Sequence, residues 1–76
     1  MKTVEKEKVA KEFGAFIREA REQRGLYQAD VAEKLGVSRA YYTHIEAGNR
    51  EIYFTTAINI CRVLGLNLND FAKHLK

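Results

Sequence analysis

The chain has 76 residues, 46% of them hydrophobic and 30% charged, which suits one small globular domain. Its formal net charge of +3 permits a polyanionic partner without requiring one, and residues 25–50 are neutral, with three basic and three acidic side chains. These values exclude a disordered chain, a large two-lobed enzyme and a basic electrostatic arm.

The N-terminal segment is not expected to be a signal peptide. Residues 1–11 alternate Lys with Glu and lack the apolar centre of a signal peptide. No apolar run approaches the ~20 residues of a membrane span. Cys61 is the single cysteine, so the chain cannot form an internal disulfide and does not require an oxidising compartment. We therefore expect a cytoplasmic protein.

The first predicted helix contains one unfavourable residue. Its apolar stripe, at helical spacing, consists of Val9, Phe13, Ile17 and Ala20. Gly14 interrupts the pattern and costs ~1 kcal/mol relative to alanine. Either the folded helix begins near Phe13, or another backbone packs closely against Gly14. We divide the chain into a charged extension over residues 1–12, helical or frayed, and a domain over residues 13–76.

Four more helices are predicted between the remaining glycines. The second ends at Gly36, and the third spans about 38–47 with Ser38 as its N-cap. The apolar positions of the fourth are Phe54, Ala57, Ile58, Cys61 and Leu64. Those of the fifth, capped by Asn67 or Asn69, are Leu68, Phe71, Ala72 and Leu75. No segment alternates with period two, so we expect a compact all-α domain of five helices.

Residues 28–47 have the features of two helices that meet at a short turn. Ala32 is small where the second helix must cross closely, Gly36 supplies a positive φ, and Val37 fills the angle between the helices. The inward positions are Leu35, Tyr42 and Ile45. This pattern is typical of a helix-turn-helix, whose second helix is free to lie in a DNA major groove.

Residues 17–48, IREAREQRGLYQADVAEKLGVSRAYYTHIEAG, resemble the lambda-repressor/Cro-like (Xre) DNA-binding domains of bacterial and phage regulators. The resemblance extends over roughly residues 13–72. Its most specific residues include Arg21, Gln28, Val37-Ser38-Arg39 and Ile45-Glu46. It implies a five-helix domain that binds operator DNA as a homodimer, with a partly buried ion pair between Arg21 and Glu46 that orients the third helix.

Three residues depart from the family pattern. Tyr27 stands where a serine or threonine usually caps the second helix, and Ile52 where proline is usual. Tyr42 stands where a branched aliphatic residue is usual, so we expect its hydroxyl to find a partner or reach the surface.

The resemblance also implies the DNA contacts. Base-reading candidates on the outer face of the third helix are Ser38, Arg39, Ala40, Thr43 and His44. Arg39 is the foremost of them, because a guanidinium pairs bidentately with guanine O6 and N7. Phosphate contacts are expected from Gln28, Tyr41, Asn49 and Arg50. The alternative for the polar candidates is a solvated side chain that makes no DNA contact.

The predicted function is a sequence-specific DNA-binding transcriptional regulator, a repressor that places its third helix in an operator as a homodimer. Candidate dimer contacts are Leu66, Leu68, Phe71 and Leu75, or Ile52, Tyr53 and Phe54. One alternative is a protein-interaction module that kept the fold without DNA binding, which the neutral residues 25–50 and the tyrosines favour. Another is an antitoxin that represses its own operon, with a toxin as protein partner.

No catalytic, metal or cofactor site is predicted. The three potential metal ligands, His44, Cys61 and His74, are too widely spaced for a metal cluster. Cys61 falls on an apolar helix face and is expected to be a core thiol rather than a redox switch. The sequence also lacks a nucleophile–base signature and a glycine-rich phosphate loop, so we expect no enzyme and no cofactor.

Overall fold

A computed structural model describes residues 5–75 as five α-helices without a strand. Residues 1–4 of the predicted extension and residue 76 of the predicted domain lie outside the described residues. The helices are α1 (Lys6–Gln23), α2 (Gln28–Leu35), α3 (Arg39–Ala47), α4 (Phe54–Leu64) and α5 (Leu68–His74). The all-α, five-helix prediction is confirmed. Over the described range, no helix is both long enough and apolar enough to cross a bilayer.

The backbone of α3 packs closely against Gly14 of α1. The first helix begins at Lys6 and runs through Gly14 without a break. A Cβ atom at Gly14 would lie 2.7 Å from the carbonyl oxygen of Ile45 and closer still to that of Glu46. Of the two alternatives for this glycine, the structure therefore selects close backbone packing. Whether residues 1–12 form a unit separate from the domain remains a prediction.

The turn between α2 and α3 is short and capped on both sides. Gly36 ends α2 with a φ of +73°, a left-handed conformation that costs glycine little. Ser38 begins α3, and its Oγ accepts a hydrogen bond of 3.1 Å from the backbone N–H of Tyr41, which confirms the predicted N-cap. Val37, between them, is half-buried against the core. This turn determines the angle at which α3 leaves α2.

The hydrophobic core contains side chains from all five helices. Its buried members are Phe13, Ile17, Ala20, Val31, Ala32, Tyr42, Ile45, Ala57, Ile60, Cys61, Leu64 and Phe71. Phe71 meets Phe13 edge to face, with ring centroids 5.1 Å apart, and so attaches α5 to α1. Burial raises the pKa of the Cys61 thiol, consistent with a packed and unreactive side chain.

Two predicted apolar stripes were wrong in part. The buried face of α4 is formed by Ala57, Ile60, Cys61 and Leu64, so Ile60 belongs to it. Phe54 is 70% exposed, because it is the first residue of α4 and lies one turn before this face begins. Ala72 of α5 is likewise exposed, next to the buried Phe71. Asn67 rather than Asn69 caps α5, since its Oδ1 accepts from the Asn69 N–H at 2.8 Å.

Candidate nucleic-acid interface

A buried ion pair joins α1 to the inner side of α3. The Nε of Arg21 lies 2.7 Å from Oε2 of Glu46, and its Nη2 lies 3.1 Å from Oε1. Arg21 also donates from Nη1 to the carbonyl oxygen of Leu26 at 2.7 Å. The side chains are 11% and 2% exposed, respectively. Since a two-point pair between planar groups resists rotation, the position of α3 against α1 is well defined.

The carboxylate of Glu46 stays ionised in this setting. Burial acts to raise its pKa, but the hydrogen bonds it accepts, chiefly from Arg21 and also from Gln28, outweigh that effect and hold the pKa below its usual range. The charge on Arg21 is favoured in the same way, because its hydrogen bond with Glu46 raises the guanidinium pKa despite burial.

Gln28 extends this pair into a network across three helices. It is the first residue of α2, and its Nε2 donates to Oε1 of Glu46 at 3.0 Å. Its Oε1 accepts from the Thr43 hydroxyl on α3 at 2.8 Å. From the sequence, Gln28 and Thr43 are predicted as independent DNA contacts, and nothing in it indicates this link. Residues 15 positions apart on different helices have no periodicity that could reveal it.

The opposite side of α3 faces solvent. Ser38, Arg39, Ala40 and His44 are exposed, and Thr43 is half-buried at the edge of the network. Arg39, Ala40, Thr43 and His44 line one shallow depression. The structure therefore brings four of the five base-reading candidates together on the side of α3 opposite the ion pair. Ser38 instead lines a separate depression with Tyr41 and Thr56.

The four phosphate candidates lie in two groups. In the first, the guanidinium of Arg50 stacks 5.1 Å from the centroid of the Tyr41 ring, a cation–π contact, and Asn49 is exposed beside it in the loop after α3. In the second, Gln28 lies at the start of α2 with its amide engaged by Glu46 and Thr43.

Tyr27 adds an exposed aromatic ring near these candidates. Its side chain makes no capping hydrogen bond and is 77% exposed. The cap comes from the other direction, because the Asp30 carboxylate accepts from the Tyr27 backbone N–H at 2.7 Å. Tyr27 lines a second open depression together with Gln28 and Arg39. In the sequence, the one indication of this exposed ring is that Tyr27 stands where a small helix-capping residue is usual.

The prediction that the Tyr42 hydroxyl finds a hydrogen-bond partner or reaches the surface is wrong. Tyr42 is fully buried, and within residues 5–75 its hydroxyl oxygen has no hydrogen-bond partner. The Tyr42 ring fills core volume, and the hydrogen bonds that Glu46 accepts come from Arg21 and Gln28. Burial, reinforced by the Glu46 carboxylate, raises the Tyr42 pKa, so this hydroxyl stays neutral.

Nothing in the described part of the chain is arranged to hold a metal ion. Over residues 5–75, no three His, Cys, Asp or Glu side chains converge on one point. His44 is on the outer face of α3, whereas Cys61 is in the core.

Comparison with known proteins identifies relatives of this chain. A helix-turn-helix family model matches residues 17–71. An uncharacterized HTH-type transcriptional regulator of Bacillus subtilis strain 168, YqaE, is 38% identical over 61 residues, which cover 80% of this chain and 53% of YqaE. The ImmF control region 10 kDa protein of Bacillus phage phi105 is 36% identical over 59 residues, covering 78% of this chain and 66% of that protein. The chain thus spans between half and two thirds of these relatives.

Among solved structures, the fold is similar to that of the clp gene regulator ClgR from Corynebacterium glutamicum. The TM-score is 0.81 at 25% sequence identity, and the match covers 90% of this chain and 94% of the ClgR chain.

Proposed function

The chain belongs to the helix-turn-helix family, in its lambda-repressor-like (Xre) group, and on this premise we propose that it binds a specific operator sequence through α3 and represses transcription as a homodimer. The family consists of DNA-binding transcriptional regulators and not of enzymes.

The observation that carries the proposal is the two-sided character of α3. Its inner side is held by a buried, bidentate ion pair, and its outer side is polar and open. An α-helix fits the ~12 Å width of the major groove only if one whole side is free. Arg39, with Ala40 and His44 next to it, is positioned to meet base edges, while Tyr41 and Arg50 flank them as phosphate contacts.

Dimerisation is the second part of the proposal. A two-fold dimer would place two copies of α3 ~34–36 Å apart, one turn of DNA. Of the candidate contacts, Phe71 is in the core, whereas Tyr53 and Phe54 are 65% and 70% exposed. Exposed adjacent aromatic rings support a dimer contact through the start of α4. Sedimentation with and without operator DNA tests it, and a protein that stays monomeric in both would exclude the homodimer.

Selection of bound duplexes from a random pool tests the function as a whole. An enriched inverted repeat is the expected result, and its half-site spacing would report the dimer geometry. The logarithm of the binding constant should also fall linearly with the logarithm of salt concentration. A pool that yields no enriched sequence would contradict operator recognition.

A protein-interaction module is the second candidate, favoured by the same exposed aromatic residues. Tyr27, Tyr53 and Phe54 leave large apolar surfaces in solvent, and residues 25–50 carry no net charge. The salt titration separates the candidates, because an adaptor that lost DNA binding shows no measurable affinity for any duplex.

A further inference from the structure

We propose that the buried ion pair sets the hydrogen-bonding direction of Thr43, so that this residue reads an amino base, adenine or cytosine, rather than a keto base. The proposal rests on the proposed function, because it requires α3 to enter the major groove. It assigns Thr43 as a specificity-determining residue and Gln28 as the positioning residue behind it.

The first step is the orientation of the Gln28 amide. The Glu46 carboxylate is paired with Arg21 and can only accept hydrogen bonds. The amide group of Gln28 that lies 3.0 Å from Oε1 of Glu46 must therefore be its NH₂ donor, and the alternative flipped amide would place two acceptors against each other. The amide oxygen of Gln28 is thereby directed at Thr43.

The second step is the direction of the Thr43 hydroxyl. Its oxygen lies 2.8 Å from the amide oxygen of Gln28, which accepts only, so Thr43 must donate there. A hydroxyl has a single hydrogen. Once that hydrogen is donated to Gln28, the Oγ1 atom of Thr43 can offer only its lone pairs and so can only accept a further hydrogen bond. An ordinary threonine turns its hydroxyl to suit either a donor or an acceptor, and this one is held as an acceptor.

The third step is the base edge that such an acceptor fits. In the major groove, adenine N6 and cytosine N4 are donors, whereas guanine O6 and thymine O4 are acceptors. Thr43 lines the depression on the outer face of α3 together with Arg39, Ala40 and His44, so this half-buried residue borders the surface that a base would meet. Because a keto oxygen opposite Oγ1 would place two acceptors together, an amino base is favoured on the contacted strand.

The test uses duplexes selected from the random pool by the wild-type chain. Thr43→Val removes the hydroxyl, and Thr43→Ser keeps it as the matched control. At one base pair, the wild type and Thr43→Ser should prefer adenine or cytosine by about fivefold, the value of a single hydrogen bond, and Thr43→Val should lose that preference. Replacing the selected adenine by purine, or the selected cytosine by 2-pyrimidinone, removes the amine. This replacement should weaken the wild type by about fivefold and leave Thr43→Val unaffected.

Gln28→Met tests whether Gln28 fixes the direction of the Thr43 hydroxyl, since it keeps the length of the side chain but removes the amide. The freed hydroxyl can then donate as well as accept, so guanine and thymine should become tolerated at the same base pair. Equal weakening on every sequence, with the amino preference intact, would show that Gln28 does not set the base preference and would overturn its positioning role. A keto base selected by the wild type at that position, or no position that responds to Thr43→Val, would also overturn it.

Two controls keep these outcomes apart. A wild-type chain that enriches no sequence would overturn the proposed function, a result distinct from an enriched operator without an amino preference. Circular dichroism melting shows whether each variant is folded. If Gln28→Met unfolds, the preference of wild type and Thr43→Ser for an amino over a keto base still decides the proposal, because a freely rotating hydroxyl would accept both equally.

Discussion

Arg21 and Glu46 form a two-point ion pair that connects the first helix to the third, with 2.7 Å between Nε and Oε2 and both side chains nearly excluded from solvent. A second pair, between Lys6 and Glu51, spans 3.6 Å at the surface, with the side chains 76% and 56% exposed. The two pairs provide a matched comparison within one small domain.

Removing Arg21 should destabilise the fold strongly. Arg21→Ala leaves the Glu46 carboxylate buried without its charged partner, which costs ~3–5 kcal/mol. Urea unfolding measures this loss. Lys6→Ala is the control, and it should cost under ~1 kcal/mol because exposed pairs contribute little. Equal losses for the two variants would contradict the positioning role of Arg21.

The contribution of the pair should depend on pH in one direction. The folded-state pKa of Glu46 lies below its ordinary value of 4.5, so the carboxylate contributes stability above about that pH and loses it as the pH falls through the folded-state value. Glu46→Gln removes the titration. The difference in unfolding free energy between wild type and Glu46→Gln should therefore shrink below about pH 4.5. A difference that stays constant into acid would show that the pKa of Glu46 is not lowered by folding.

Gly14→Ala should destabilise the protein although alanine is the better helix former. The new methyl group would meet the backbone of Ile45 and Glu46, at 2.7 Å from the carbonyl oxygen of Ile45, and backbone cannot move aside cheaply. We expect a loss of ~1–3 kcal/mol, the range for overpacking. Ala15→Gly, at an exposed position of the same helix, should cost ~1 kcal/mol from helix propensity. If Gly14→Ala instead gains that amount, α3 does not pack against Gly14.

Tyr42→Phe should leave stability unchanged or raise it by ~1 kcal/mol. The variant keeps the ring in the core and removes a buried hydroxyl that lacks a partner, which relieves its desolvation cost. Tyr41→Phe, half-buried at the surface, is the control and should be close to neutral. A loss above ~1 kcal/mol for Tyr42→Phe, measured in urea, would show that its hydroxyl is hydrogen bonded.

Local rules predicted the helices and the turn that orients α3. Gly36 and Ser38 act within a few residues of their own position, so their effects were visible in the sequence. Gly14 is anomalous in the helical pattern, but only the packing of α3 decides between its two explanations. Phe54 was misplaced because spacing does not show where the neighbouring helices stop covering α4.

The candidate site was predictable as a set of residues but not as a network. The resemblance supplied Arg21 and Glu46 as partners, and helical spacing supplied the outer face of α3. The hydrogen bonds from Gln28 to Glu46 and from Thr43 to Gln28 join residues 18 and 15 positions apart. They depend on how α2 and α3 cross, which is a property of tertiary packing rather than of local pattern.

Base reading by the outer face of α3 is decided by comparing Arg39→Ala with Arg50→Ala. Binding of each variant is measured on the selected duplex, on its single-base variants and over a range of salt concentrations. Arg39→Ala should relax discrimination at one base pair, with a loss of ~1–3 kcal/mol on the selected sequence. Arg50→Ala should weaken all sequences alike and reduce the salt slope by about one. Discrimination left intact by Arg39→Ala would contradict base reading by this face.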